Sequence, residues 1–159
     1  MAQPATTFSK SLAAVYPPDS SDSADETQFH FHLVEFQDKF VLNISINGIL
    51  DSTFKLPVST KRAINYEAMM DLYGANEPAM DESDSTASTT AEPQLLIGDY
   101  ANMKISIIAG QICKLISQQK PKETILSIGS RWFGKGDEVG PDDFAKLMFV
   151  IENVKTLLL

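Results

Sequence analysis

The chain has few cysteines and histidines and no long apolar run. Its 159 residues include one cysteine, Cys113, and two histidines, His30 and His32. A single cysteine excludes an intrachain disulfide and a cysteine-rich zinc site. No stretch approaches the roughly 20 apolar residues of a membrane helix, and the N-terminal residues show no apolar run typical of a signal peptide. We therefore expect a soluble intracellular protein.

Basic clusters are equally scarce. The formal net charge is −8, and two segments carry all of it. Residues 1–28 hold four acids against one lysine, and residues 74–93 hold five acids and no base. The remaining residues have 12 acids and 12 bases. Because no basic stripe is present, the sequence argues against nucleic acid or an anionic membrane as a partner.

Two segments, 17–26 and 76–93, are rich in Ser, Asp, Thr and Pro and poor in large apolar residues. Such segments bury too little apolar surface to offset the entropy lost on ordering. We therefore predict a disordered N-terminal tail over residues 1–28 and a single α+β domain over residues 29–159. The acidic insertion at about 76–93 is predicted to be disordered. A division into two domains there is disfavoured, because flanks of roughly 50 and 65 residues are small for independent folding.

Alternating apolar and polar residues predict several strands. FHFHLVEF (29–36) and KFVLNISI (39–46) flank a two-residue polar break, which is the pattern of a β-hairpin. Asn47-Gly48 predicts a type I′ turn, since both residue types accept positive φ. A third strand is predicted over 49–57, and the residues that follow it, up to position 73, fit either a strand end or a short helix.

The C-terminal half predicts two helices separated by a strand. The predicted order is a strand over 93–98, a helix from the N-cap Asp99 to Gln119, a strand over 124–130, a glycine-rich loop over 131–140 and a helix that begins at Pro141. The apolar stripes of the two helices are Ala101, Ile105, Ile108, Ile112 and Ile116, and then Phe144, Leu147, Ile151, Val154 and Leu158. Strands followed by helices that alternate with strands predict an α+β fold, an antiparallel β-sheet with two main helices packed on one face.

His30 and His32 form a His-x-His pair, which raises the question of a metal site. Zinc needs at least three protein ligands even in catalytic sites, and the sequence has no third histidine. Glu35 lies on the opposite face of the same predicted strand by parity. We therefore predict no metal site, with Phe29, Phe31 and Leu33 facing the core and the histidines facing outward.

Other catalytic and nucleotide-binding patterns are also missing. No Gly-x-Ser-x-Gly elbow occurs, and GKGDEVG (134–140) matches neither a dinucleotide-binding loop nor a Walker A loop. Cys113 fits a small residue of a helix near the core. Asp142 and Asp143 fit the positive end of a helix dipole. The sequence thus predicts no catalytic residues, no cofactor and no enzyme activity.

Two groups of residues are better candidates for contacts with a protein partner. The first is the outward face of the first predicted strand, an amphipathic row made of His30, His32, Val34 and Phe36. The second is Arg131, Trp132 and Phe133, since aromatic residues and arginine are enriched at the energetic centres of interfaces. The alternative for Trp132, the only tryptophan, is that it seals one end of the core.

Phe29-His-Phe-His-Leu-Val34, the following Phe40-Val-Leu42 and the later Leu95-Leu-Ile-Gly-Asp99 resemble the proteasome assembly chaperone 4 family, in its fungal type. The resemblance covers about residues 29–57 and 94–158, and assembly chaperone 3 is a sibling with the same fold. It implies a protein that pairs with a related small chaperone as a heterodimer. That dimer would bind an alpha-type subunit and promote assembly of the 20S alpha ring, in the cytoplasm and also in the nucleus.

Two other functional classes share parts of this pattern. A generic α+β adaptor of longin or profilin type would have similar strands and helices. A metal-dependent enzyme would need ligands that the sequence does not display. Co-purifying partners distinguish the chaperone from the adaptor, and metal analysis tests the enzyme.

Overall fold

The computed structural model describes residues 7–18, 26–58, 92–136 and 138–159, which form one sheet and two helices. The first four strands are β1 (Phe8–Tyr16), β2 (Thr27–Glu35), β3 (Lys39–Ile46) and β4 (Ser52–Leu56). They are followed by β5 (Gln94–Ile97), α1 (Met103–Gln119), β6 (Glu123–Ile128), a 3₁₀ turn (Arg131–Phe133) and α2 (Asp143–Leu158). No helix in these ranges is long and apolar enough to cross a membrane.

The six strands lie in the order β1-β2-β3-β6-β4-β5. The predicted hairpin is confirmed, because β2 and β3 pair antiparallel. Asn47 and Gly48 both have positive φ, at 51° and 79°, as a type I′ turn requires. The chain does not continue into a third neighbouring strand, since β6 lies between β3 and β4 and pairs parallel to β3. The α+β class is therefore confirmed, while the sheet is mixed and only mostly antiparallel.

The hydrophobic core lies between one face of the sheet and the two helices. Alternation places Phe29, Phe31 and Leu33 of β2 in this core, as predicted. The other strands contribute Phe40, Leu42, Ile44, Ile46, Phe54, Leu56, Leu126 and Ile128. The helices cover them with Ile105, Ile108, Ala109, Ile112, Cys113, Ile116, Val150, Val154, Leu157 and Leu158. The helix-covered face of the sheet is thus filled with large apolar side chains, and Cys113 lies in the core as expected.

The prediction of a disordered tail over residues 1–28 is wrong for β1. All nine residues of this strand pair with β2, from Phe8 opposite Glu35 to Tyr16 opposite Thr27. Leu12 and Tyr16 pack against the core beside α2. The strand contains mainly Ser, Ala and Lys between its apolar residues, and the backbone ladder with β2 offsets their weak β-propensity.

The helix boundaries and faces also differ from the predictions. The N-cap of α1 is Asn102, whose side chain accepts a hydrogen bond from the Ile105 N–H at 3.2 Å. Asp99 instead closes a turn, accepting from the Ala101 N–H at 2.9 Å. In α2, Phe144 is 70% exposed and does not belong to the buried stripe. The predicted insertion up to residue 91, and residues 59–73, lie outside the described residues.

Candidate protein-interaction surface

The second face of the sheet, which we call the open face, carries no helix among the described residues. It consists of the residues that alternate with the core residues along the strands. Its central members are Ser11, Ala13, His30, His32, Val34, Val41, Asn43, Ser45, Thr53, Ile125 and Ser127. Most of these side chains are half-buried by their neighbours on adjacent strands. The open face is therefore a continuous, partly apolar surface.

Strand register arranges the open face in rows that cross the sheet. One row is apolar and runs from Val34 through Val41 to Ile125. The next row is polar and begins at His32 and Asn43. It continues to Ser127 and Thr53, whose hydroxyl oxygens lie 3.1 Å apart. This mixture resembles the composition of protein interfaces, which combine an apolar centre with polar groups.

The two histidines lie where parity predicted. Their ring centroids are 6.5 Å apart with nearly parallel planes, and His30 is exposed while His32 is half-buried. The strands on either side place Ala13 and Ser45 opposite His30, and Ser11 and Asn43 opposite His32. None of these four residues is a usual zinc ligand, so they do not complete a zinc site. In the described ranges, no three His, Cys, Asp or Glu side chains form a group that could hold a metal ion.

The predicted contact residues near the tryptophan lie elsewhere. Phe133 is only 4% exposed and belongs to the core. Trp132 is half-buried and packs edge-on against Phe29, with ring centroids 4.8 Å apart. Because Phe29 faces the helices, Trp132 lies on the helix side of the sheet. The structure therefore separates Arg131-Trp132 from the histidines, and the two predicted groups do not form one surface.

Phe36 lies just beyond the end of β2 and is 37% exposed. The turn that carries it is held by Lys122, whose ammonium donates to the Phe36 carbonyl at 3.0 Å and to the Glu35 carboxylate at 2.8 Å. The hydrogen bond from Lys122 lowers the pKa of Glu35 below its ordinary value of 4.5, although partial burial opposes the shift. The ammonium also lies 5.1 Å from the Phe40 ring centroid. Glu35 and Phe40 belong to the helix-covered face by parity, so these contacts hold the turn from that side of the sheet.

Sequence reasoning missed the apolar row at the centre of the open face. Val41 and Ile125 alternate with core residues of β3 and β6, so their outward direction could have been found from the same parity that placed the histidines. Val41 lies beside Val34 through the predicted hairpin of β2 and β3. The position of Ile125 in the same row could not be found from the sequence, because it depends on the parallel pairing of β3 with β6.

Comparisons with known proteins identify relatives of this chain. The model of the family of 20S proteasome chaperone assembly proteins 3 and 4 matches residues 3–155. This match includes the N-terminal residues and the acidic segment, which the resemblance found in the sequence did not cover. No curated protein sequence matches the chain.

A solved structure is similar to this chain over nearly the whole length of both chains. It is a crystal structure of a novel chaperone complex for yeast 20S proteasome assembly, with a TM-score of 0.62 and 17% sequence identity. The match covers 96% of this chain and 99% of the other. At this identity the likeness shows the fold, while the family match extends over almost the entire sequence. The chain belongs to the family of 20S proteasome chaperone assembly proteins 3 and 4.

Proposed function

We propose that this chain is a non-enzymatic assembly chaperone of the chaperone 4 type, working in the cytoplasm and nucleus. It pairs with a related small chaperone through the open face of its sheet. The pair binds an alpha-type subunit and promotes assembly of the 20S alpha ring. The family match over residues 3–155 carries this proposal, and the open face supports it.

The size of the open face supports pairing with a second protein. Strands lie about 4.8 Å apart and rise about 3.3 Å per residue. Four strands of six to nine residues and two shorter ones therefore present roughly 600–700 Å² of flat area. A standard protein interface buries about 800 Å² on each partner. One sheet face is thus about the area that a stable heterodimer uses.

The composition of the open face also supports pairing with another sheet. Small residues such as Ser11, Ala13 and Ser45 leave room for a second layer to approach. The apolar row supplies the area whose burial drives association, about 25 cal/mol per Å². Two sheets that pack face to face lie about 10 Å apart with their strands nearly aligned. A related chaperone of the same fold offers such a second sheet.

The first experiment is purification of the tagged full-length chain, and of two variants, under gentle conditions. Val41→Glu places a charge at the centre of the apolar row, and Gln111→Glu places one at an exposed position of α1. We expect the wild type and Gln111→Glu to retain one small partner and proteasome alpha-type subunits. With Val41→Glu, we expect the recovered amount of the small partner to fall at least ten-fold. Circular dichroism confirms that both variants are folded.

Mass spectrometry of the small partner also assigns the type of this chain. A partner of the chaperone 3 type identifies this chain as the chaperone 4 type, and a partner of the chaperone 4 type reverses the assignment. Recovery of no proteasome subunit with the wild type contradicts the proposed function. Unchanged recovery of the partner with Val41→Glu contradicts the role of the open face.

A further inference from the structure

A cleft of about 210 Å³ opens at the end of the sheet where β3 and β6 finish. Its lining residues are Ile46, Asn47, Ile49, Gly129, Arg131 and Trp132. Small-molecule sites usually hold about 300–1,000 Å³, so this cleft is small for a cofactor. Its volume suits one or two side chains of another protein.

The walls of the cleft are held in place by the surrounding structure. Lys146 donates to the Trp132 carbonyl at 2.9 Å, and its ammonium lies 4.8 Å from the indole centroid. Tyr16 packs edge-on against the same ring at 5.1 Å. The Asp51 carboxylate accepts from the N–H of Ser130 at 2.7 Å and from its hydroxyl at 2.9 Å. A preformed wall binds a partner at a lower entropic cost than a mobile one.

The cleft carries the positive charge of Arg131. Arg131 is exposed, and no carboxylate in the described ranges forms an ion pair with its guanidinium. Lys104 differs, because its ammonium pairs with Asp143 at 2.9 Å. A guanidinium binds carboxylates through paired, charge-assisted hydrogen bonds. The cleft therefore combines an apolar wall with a cation that no carboxylate of the described ranges pairs, and a carboxylate is its complement.

We infer that this cleft binds a partner segment in which an Asp or Glu side chain adjoins an aliphatic side chain. The carboxylate accepts hydrogen bonds from Arg131, and the aliphatic side chain packs between Trp132 and Ile49. Trp132 lies on the helix side of the sheet, so the cleft stays accessible when a paired chaperone covers the open face. The assignment of this segment to the alpha-type subunit rests on the proposed function. The binding of such a segment to the cleft does not depend on the proposed function.

The single tryptophan makes the cleft directly observable. The full-length chain labelled with ¹⁵N gives one indole N–H signal, that of Trp132. Two capped peptides serve as probes, Ser-Leu-Glu-Leu-Ser and its glutamine counterpart Ser-Leu-Gln-Leu-Ser. We expect the glutamate peptide to shift the indole signal saturably at millimolar concentration and the glutamine peptide to bind at least five-fold more weakly. We expect Arg131→Gln to remove this difference. Lys135 is an exposed loop cation outside the cleft, so we expect Lys135→Gln to preserve the difference.

Several results overturn the inference. The inference is contradicted if the two peptides bind equally to the wild type, or if neither shifts the indole signal at up to 10 mM. It is also contradicted if Lys135→Gln removes the difference between the peptides as fully as Arg131→Gln does. A final control is the triple variant Asp19→Asn/Asp22→Asn/Asp25→Asn, measured without peptide. If its indole signal differs from that of the wild type, acidic residues of this chain occupy the cleft and the inference is contradicted. Because this test contains no proteasome subunit, it stands or fails independently of the purification experiment.

Discussion

The two faces of the sheet consist of alternate residues of the same strands, yet they differ in side-chain size and in what covers them. Phe31, Phe40 and Phe54 are fully buried beneath the helices. The neighbouring positions on the open face hold smaller polar residues such as Asn43 and Ser127. Large apolar side chains stabilise the single chain, at about 25 cal/mol per Å² buried. Small amphipathic side chains keep the other face soluble and still able to pack on a partner.

The largest effect is expected from a matched pair of adjacent residues on opposite faces. Phe31→Ala removes a fully buried ring and should lower the free energy of unfolding by about 3–5 kcal/mol. His32→Ala removes a side chain of the open face and should change it by no more than about 0.5 kcal/mol. Urea unfolding of the two variants measures both values. A loss of several kcal/mol in His32→Ala would show that the open face stabilises the single chain.

A second matched pair lies on β1 and tests whether this strand belongs to the covered face. Tyr16 packs edge-on against Phe149 at 5.2 Å and against Trp132. Tyr16→Ala should therefore lower the free energy of unfolding by about 1–2 kcal/mol and shift the Trp132 emission to the red. Val15→Ala, which changes a residue of the opposite face, should have an effect below about 0.5 kcal/mol. If Tyr16→Ala changes neither stability nor emission, β1 does not pack as described.

The smallest effect concerns the ion pair at the edge of the sheet. Because the pKa of folded Glu35 is lowered, mainly by the hydrogen bond from Lys122, its contribution is present above the ordinary value of 4.5 and is lost as the pH falls through the folded pKa. Glu35→Gln should be slightly less stable than the wild type at pH 7, and the difference should be smaller at pH 3. Urea unfolding at both pH values measures it.

Asp38→Asn is the control for this pH dependence, since the Asp38 carboxylate lies on the same turn and is 76% exposed. It should show a much smaller change between the two pH values. A difference between Glu35→Gln and the wild type that grows toward acid would contradict the direction of the pKa shift.

The side-chain difference between the two faces could be predicted from the sequence wherever it follows from the spacing of neighbouring residues. Alternation in β2 and β3 was sufficient to place Phe31 inward and His32 outward, because side-chain direction along a strand has a period of two. The stripe of isoleucines in α1 likewise repeats every three or four residues. These signals depend only on neighbouring residues, so they survive without knowledge of the fold.

The parts that escaped prediction depend on tertiary contacts. Strand β1 has a weak pattern of its own and is ordered by its ladder with β2. The parallel insertion of β6 beside β3, which adds Ile125 to the apolar row, leaves no local signal. Asp99 and Asn102 are both suitable N-caps, and the choice of Asn102 follows from where Ile105 enters the core. Arg131 and Trp132 stay predicted contact residues, and their separation from the histidines depends on the fold.

The most direct test of the paired open face is chemical protection by the partner. The native Cys113 is buried, so maleimide labelling of introduced cysteines has a low background. His30→Cys reports on the open face, and Ala145→Cys reports on an exposed position of α2. With the co-purifying small chaperone bound, we expect maleimide to label His30→Cys at least ten-fold more slowly and to label Ala145→Cys at an unchanged rate. Unchanged labelling of His30→Cys together with protection of Ala145→Cys would contradict it.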